Sequence, residues 1–146
     1  MSNGCIFCAI AAGQIPARIV CESENLVAFL DIQPVREGHT LIIPRAHYRF
    51  FDDMPAELAQ ETIVMGQKIA RAQKKLWGVE RVGFMYSGVD VAHAHAHLVP
   101  MQEPTDLTSR RYIVEENLTF RHPPRVGPEA LETVGARLEG ALKEPA

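Results

Sequence analysis

Residues 92–100 read AHAHAHLVP. In an extended chain successive side chains point to opposite faces, so His93, His95 and His97 share one side of a strand and Ala94 and Ala96 the other. Three rings on one face and small methyl groups on the reverse call for a sheet that another layer approaches closely. The run therefore asks for a sheet-containing fold and marks where chemistry can sit. Three readings are open for the histidines. They can be an incidental run with one ring satisfied in the core, or a metal clip, since His-x-His presents two imidazole nitrogens to zinc. They can also form a nucleophilic site, in which one neutral imidazole attacks an electrophilic centre while its neighbours manage charge and protons. The chain has three other histidines, His39, His47 and His122.

The surrounding segments supply such a sheet. Residues 5–12 are mostly apolar, lack strict alternation and are closed by Gly13, which predicts a short helix or turn. Residues 18–21 and 26–30 are β-rich runs around a turn-like 22–25, an antiparallel hairpin. Residues 39–43 follow Gly38 and stop at Pro44, a third strand. Pro55 opens one long helix in its first turn, with Leu58, Thr62, Met65, Ile69, Ala72 and Leu76 in one stripe and Gly78 at its end. Residues 81–86 and 94–99 are two more strands. Residues 102–128 are polar and proline-rich, and Leu131, Val134, Leu138 and Leu142 suggest a short terminal helix. The expected fold is α+β: a five-stranded, mainly antiparallel sheet with one long helix and a short N-terminal helix. Residues 1–101 are expected to form the domain and 102–146 an extension of the same unit.

Composition narrows the classes. At 146 residues, 47% hydrophobic and 23% charged, the chain matches one ordinary globular domain and needs no disulfide staples. No apolar run approaches the ~20 residues that span a bilayer, and the start lacks a signal-like core, so a membrane or secreted protein is not expected. A net charge of −3 gives no basic field for nucleic acid. Cys5, Cys8 and Cys21 are odd in number, which favours reduced thiols or a metal over a disulfide framework, and a cytoplasmic location. The Cys5-x-x-Cys8 pair can sit on one zinc given two further ligands, act as a redox dithiol, or be buried as small hydrophobes. Cys21 falls in a strand and reads as core.

His93 to Val99 form a His-φ-His-φ-His-φ-φ pattern that resembles the histidine triad (HIT) family of nucleotide hydrolases and transferases. Cys5-Ile6-Phe7-Cys8, residues 26–31, Gly38-His39 and Pro44-Arg45-Ala46-His47 agree in order and spacing, and the likeness is to the Hint-type branch over about residues 4–101. The resemblance implies that His95 attacks the α-phosphorus to form a nucleotidyl-histidine, and that His39 and His97 surround the α-phosphate. It implies that Asp31 holds the ribose hydroxyls and that Phe7, Ile10, Phe29 and Ile32 form the slot for the base. It further implies a structural zinc on Cys5, Cys8, His47 and His93, no organic cofactor, and a homodimer with one continuous sheet, since pairing removes an open edge.

The chain departs from the family pattern just before the triad. The usual Asn-x-Gly and Gly-Gln-Ser/Thr stretches are replaced by Tyr86-Ser87-Gly88 and then only Val89-Asp90-Val91-Ala92, a loop shorter by about four residues. Asp90 stands where a leaving-group hydroxyl is usual, and Ser87 is the candidate substitute. The leading function is therefore a nucleotide hydrolase or transferase. The alternatives are a nucleotide- or zinc-binding regulatory module with little turnover, and a zinc hydrolase using all three triad histidines as ligands.

Overall fold

The computed structural model describes residues 4–88, 90–117, 119 and 121–144. A six-residue helix α1 (Ile6–Ala11) precedes the hairpin β1 (Ile19–Glu22) and β2 (Leu26–Leu30), then β3 (Thr40–Pro44). A single 3-10 turn at Phe51–Asp53 leads to α2 (Ala56–Trp77), followed by β4 (Arg81–Tyr86), β5 (Ala96–Met101) and α3 (Pro128–Lys143). The five strands form one sheet in the order β1-β2-β3-β5-β4, and every neighbouring pair is antiparallel. The expected architecture is present. Its differences are local: Pro55 is the residue that caps α2 and not its first residue, and α2 ends on Gly78 at φ 63°.

Alternation splits the core. Leu26, Ala28 and Leu30 of β2, Ile42 of β3, and Ala96 and Leu98 of β5 face the helices, where Met65, Ile69 and Ala72 of α2 cover them. Val27, Phe29, Leu41 and Ile43 face the other way, against Phe7 and Ile10 of α1. Ala96 is fully buried under α2, so the reverse side of the histidine strand is small because a helix lies on it.

The terminal helix is longer than the short one expected. It runs for 16 residues, with Val134, Leu138 and Leu142 in the same core as α2 and Leu138 fully buried. Truncating such a leucine costs about 2–5 kcal/mol. The polarity of residues 102–127 hides this from a reading of the chain, because the apolar stripe begins only after them. Arg18, just before β1, ties α3 down further by pairing with Glu132 and Glu139 at 2.8 and 2.9 Å.

Candidate active site

His97 is the one triad histidine inside regular strand. It lies opposite Leu41 of β3 and Met85 of β4, on the α1 face of the sheet. His93 and His95 precede β5, because the chain turns there: the His93 N–H bonds the Val91 carbonyl at 2.8 Å and the Ala94 N–H bonds the Tyr48 carbonyl at 2.7 Å. The rings nevertheless form a ladder, with centroids of His95 and His97 4.9 Å apart and those of His97 and His39 5.2 Å apart.

The hydrogen bonds assign each ring's proton. A carbonyl can only accept, so the 2.7 Å contact between His95 Nδ1 and the His93 carbonyl places the proton on Nδ1. In its neutral form His95 therefore carries its lone pair on Nε2. The Val35 N–H donates to His39 Nδ1 at 3.2 Å, which leaves the His39 proton on Nε2, where it is donated to His97 Nδ1 at 3.0 Å. His97 must then carry its own proton on Nε2. That atom is buried and has no hydrogen-bond partner among the described residues. An unmet buried donor costs about 1–3 kcal/mol, so its acceptor is expected from a ligand.

Burial disfavours the charged form of His39 and His97. Desolvation, reinforced by repulsion from His39 and His95 and only partly opposed by Asp31 and Asp90, pushes His97 down to about 4. His39 is lowered for the same first reason, against the pull of the Asp31 carboxylate 3.6 Å from Nδ1. Asp31 itself caps the backbone of its loop, accepting the Gln33 N–H at 2.8 Å. Gly38 shapes the approach to His39: its φ is 87°, and a Cβ there would lie 2.5 Å from the Trp77 ring.

The four residues expected to form a base slot do not share one environment. Phe7, Ile10 and Phe29 are buried in the core below the sheet, while Ile32 is 47% exposed. Phe7 meets His95 edge-on with ring centroids 5.1 Å apart and so bears on the His95 ring directly. Ser87 reaches a cavity of about 220 Å³ shared with His95, Arg49, Phe50, Phe51 and Tyr86. Asp90 lines a different one, beside Cys5, His47, Arg49 and Ala92.

On the far side of the same run, Cys5, Cys8, His47 and His93 each offer a ligand atom within 4.8 Å of the others. Cys5 caps α1 and Cys8 lies within that helix, so one turn sets the thiols together. His93 Nε2–H donates to the Pro44 carbonyl at 2.9 Å, leaving the Nδ1 lone pair aimed at both sulfurs at 3.4 Å. His47 Nδ1 is 3.3 Å from Cys8 Sγ. Donors on a tetrahedral zinc at ordinary bond lengths lie roughly 3.5 Å apart, so the set fits that ion. The second converging group among the described residues is Asp31, His39 and His97. The three triad histidines are not such a group, which removes the geometric basis for a zinc hydrolase built on all of them.

Some of this geometry had no signature in the sequence. The Val35 N–H and the Pro44, Tyr48 and His93 carbonyls belong to the backbone, whose donors and acceptors look alike in every sequence. The aromatic side of the His95 cavity, Phe50 and Phe51, was also missed; the 3-10 turn that places Phe51 gives no periodic signal.

A five-stranded antiparallel sheet that carries a ladder of imidazoles on one face and two covering helices on the other defines a small α+β protein with a histidine-based site. The HIT domain model matches residues 12–104, and the chain belongs to that family. It is 40% identical over 103 residues to an uncharacterised HIT-like protein of Methanocaldococcus jannaschii, covering 68% of this chain and 80% of that one. It is 36% identical over 104 residues to the adenosine 5'-monophosphoramidase of Saccharomyces cerevisiae, covering 70% of this chain and 66% of that one. The fold is similar to that of a zinc-bound histidine triad family protein of Mycobacterium smegmatis, with TM-score 0.75, 32% identity, and 97% and 95% of the two chains covered.

Proposed function

We propose that the chain is a hydrolase or nucleotidyl transferase that cleaves purine nucleoside phosphoramidates or related nucleotides at the α-phosphate through a nucleotidyl group on His95. The observation that carries this reading is a pairing. His95, whose Nδ1–H is held by a carbonyl so that Nε2 is left for the lone pair, stands beside His97, whose buried Nε2–H has no acceptor among the described residues. One is a nucleophile and the other a donor for a phosphate oxygen. The yeast relative's activity supports the same substrate class.

In the first step His95 Nε2 bonds to phosphorus as the bond to the leaving amine breaks, and the amine departs with a proton taken from solvent. The His95 ring becomes cationic, and the His93 carbonyl on Nδ1–H stabilises that charge. In the second step water, or an acceptor hydroxyl in transfer, bonds to phosphorus and gives its proton to solvent as the P–N bond to His95 breaks and the ring returns to its neutral form. His97 donates to the phosphoryl oxygen throughout, and His39 fixes His97 in the donating tautomer. Asp31 accepts from ribose hydroxyls, Ile32 offers apolar surface to the base, and Phe7, Ile10 and Phe29 pack beneath. Ser87 and Asp90 serve the leaving-group side.

Zinc on Cys5, Cys8, His47 and His93 would be structural, because four protein ligands leave no open position. It supplies rigidity at the start of the histidine run, with the Pro44 carbonyl orienting His93 from outside. The chain as a whole, residues 1–101 plus the extension, is proposed to act in the cytoplasm as a homodimer. The support for pairing is at the sheet edges. At one edge β1 carries a bulge and is backed by α3, whereas at the other β4 is regular and exposes Phe84 and Met85, with Ile63 and Val64 exposed on α2.

Intact mass after mixing with an adenosine phosphoramidate tests the reading. One added nucleotidyl group on the wild-type chain and none on His95→Ala is the expected result. Nucleotide binding with neither adduct nor turnover would replace it with the regulatory-module reading.

A further inference from the structure

The loop at residues 31–38 supplies most of what sets His39. It contains Asp31, the Val35 N–H on His39 Nδ1, and the Arg36 carbonyl that accepts the His39 N–H at 3.0 Å. Its own closure is one backbone bond, Asp31 N–H to the His39 carbonyl, at 2.9 Å. Further anchorage comes from α2, where Trp77 Nε1–H donates to the Glu37 carboxylate at 2.9 Å and Gln73 Nε2–H to the Gly38 carbonyl at 2.8 Å, and from beyond β5. The Gln33 side chain donates to the Pro123 carbonyl at 3.1 Å, and the Val126 N–H donates to the Ile32 carbonyl at 2.8 Å.

The strongest of these ties is Arg36 to Asp106. The guanidinium donates from Nε at 3.0 Å and from Nη2 at 2.7 Å to a carboxylate only 6% exposed. The same carboxylate accepts the N–H groups of Gln102 and Glu103 at 2.8 and 3.1 Å, the residues that directly follow β5. The next residue, Leu107, packs on β4 at Gly83, where any Cβ would collide with it. One carboxylate thus joins the loop that fixes His39 to the strand that carries His97. A forked guanidinium–carboxylate pair sets angle as well as distance, which a single ammonium does not.

We propose that Arg36 and Asp106 are positioning residues. Their clasp holds the Val35 N–H on His39 Nδ1, so that His39 donates to His97 and His97 presents its Nε2–H to the ligand. The clasp touches no reacting atom. It acts through the protonation pattern of two rings, and its effect on rate rests on the function proposed above, whereas its effect on tautomer does not.

The test uses the full chain and two readouts. Ring 15N NMR reports which nitrogen of His39 and His97 carries the proton, and turnover of an adenosine phosphoramidate reports the consequence. In Arg36→Gln the His39 15N shifts are expected to move toward the average of a mixed tautomer. kcat is expected to fall about ten- to a hundredfold, with KM changed less than about threefold. Arg36→Lys keeps the charge and loses the fork, and should recover part of both effects. Asp106→Asn, which retains an acceptor for the two backbone N–H groups, should resemble Arg36→Gln with a smaller loss of melting temperature. Ring shifts of His39 and His97 that match wild type in folded Arg36→Lys and Asp106→Asn would overturn the clasp, whatever happens to melting. A wild-type chain that shows the single tautomers but no turnover would instead sink the nucleotidyl reading and leave the clasp to be judged on the ring shifts alone.

Discussion

Two clusters share one histidine run and differ in what their nitrogens have left to do. In the cluster of Cys5, Cys8, His47 and His93, lone pairs and thiols converge on one another, and the outer nitrogen of His93 is committed to the Pro44 carbonyl. In the cluster of Asp31, His39 and His97, protons pass in one direction along a chain that ends on an unmet donor, with His95 and its bare Nε2 alongside. The first is closed on itself and suits a structural ion. The second is open at one end and suits a substrate. Rings two residues apart acquire these opposite roles because different backbone carbonyls claim different nitrogens.

If that contrast holds, breaking the open cluster should cost activity and breaking the closed one should cost stability. The largest effect is expected for His95→Ala, with phosphoramidate turnover down at least about a thousandfold in steady-state kinetics and melting little changed. His97→Ala should lose roughly a hundred- to a thousandfold in kcat, and His97→Gln less, because its amide can still donate near the Nε2 position. For the closed cluster, Cys5→Ser should lower bound zinc from about one ion per chain, read by elemental analysis, and lower the melting temperature more than kcat. Unchanged melting after chelation would reduce Cys5 and Cys8 to packing residues.

Asp90 stands between the clusters. It lines the cavity beside Cys5 and His47, yet its charge is felt at His97. Asp90→Asn should raise kcat/KM for a dinucleoside polyphosphate relative to a phosphoramidate by roughly tenfold, since one carboxylate no longer repels the charged leaving group. A ratio untouched by the substitution would place Asp90 on the structural side alone.

The smallest effect is on pH-dependent stability. His97 titrates at about 4 in the folded chain and near 6.5 when unfolded, so between those values the unfolded state holds the extra proton. Stability should therefore fall as pH drops from about 6.5 toward 4 and level off below it. Urea midpoints for wild type should show a steeper fall over that window than those for His97→Gln.

Much of the fold was legible because it depends on periodicity. The β-rich run of residues 26–30 beside a turn-like 22–25 and the three-and-four stripe of residues 58–76 are local patterns, and the hairpin and the long helix follow. The apolar run predicts the third strand from His39, whereas the strand begins at Thr40, because a histidine at the edge of an apolar run gives no sign of whether its backbone pairs. The histidine run was read as strand from residue 94, but regular pairing begins at Ala96, since Ala94 is bonded instead to Tyr48 from outside the sheet.

The sequence by itself predicts three imidazoles on one side of an extended segment with methyl groups behind them, because side-chain alternation is a local property of the backbone, although the regular strand begins only at Ala96. It also determined the pool of donors: two thiols one helical turn apart, six histidines and few acids near them. Only the tertiary structure decided which ring has its Nδ1–H held by a carbonyl, which has an unmet Nε2 donor and which aims a lone pair at the thiols. Those roles depend on the Val35 N–H and the carbonyls of Pro44 and His93, and on a carboxylate at Asp106 that is 70 residues from its Arg36 partner. Backbone groups are the same in every residue, and a contact across that separation leaves no local pattern. Proton placement is therefore a property of the folded chain.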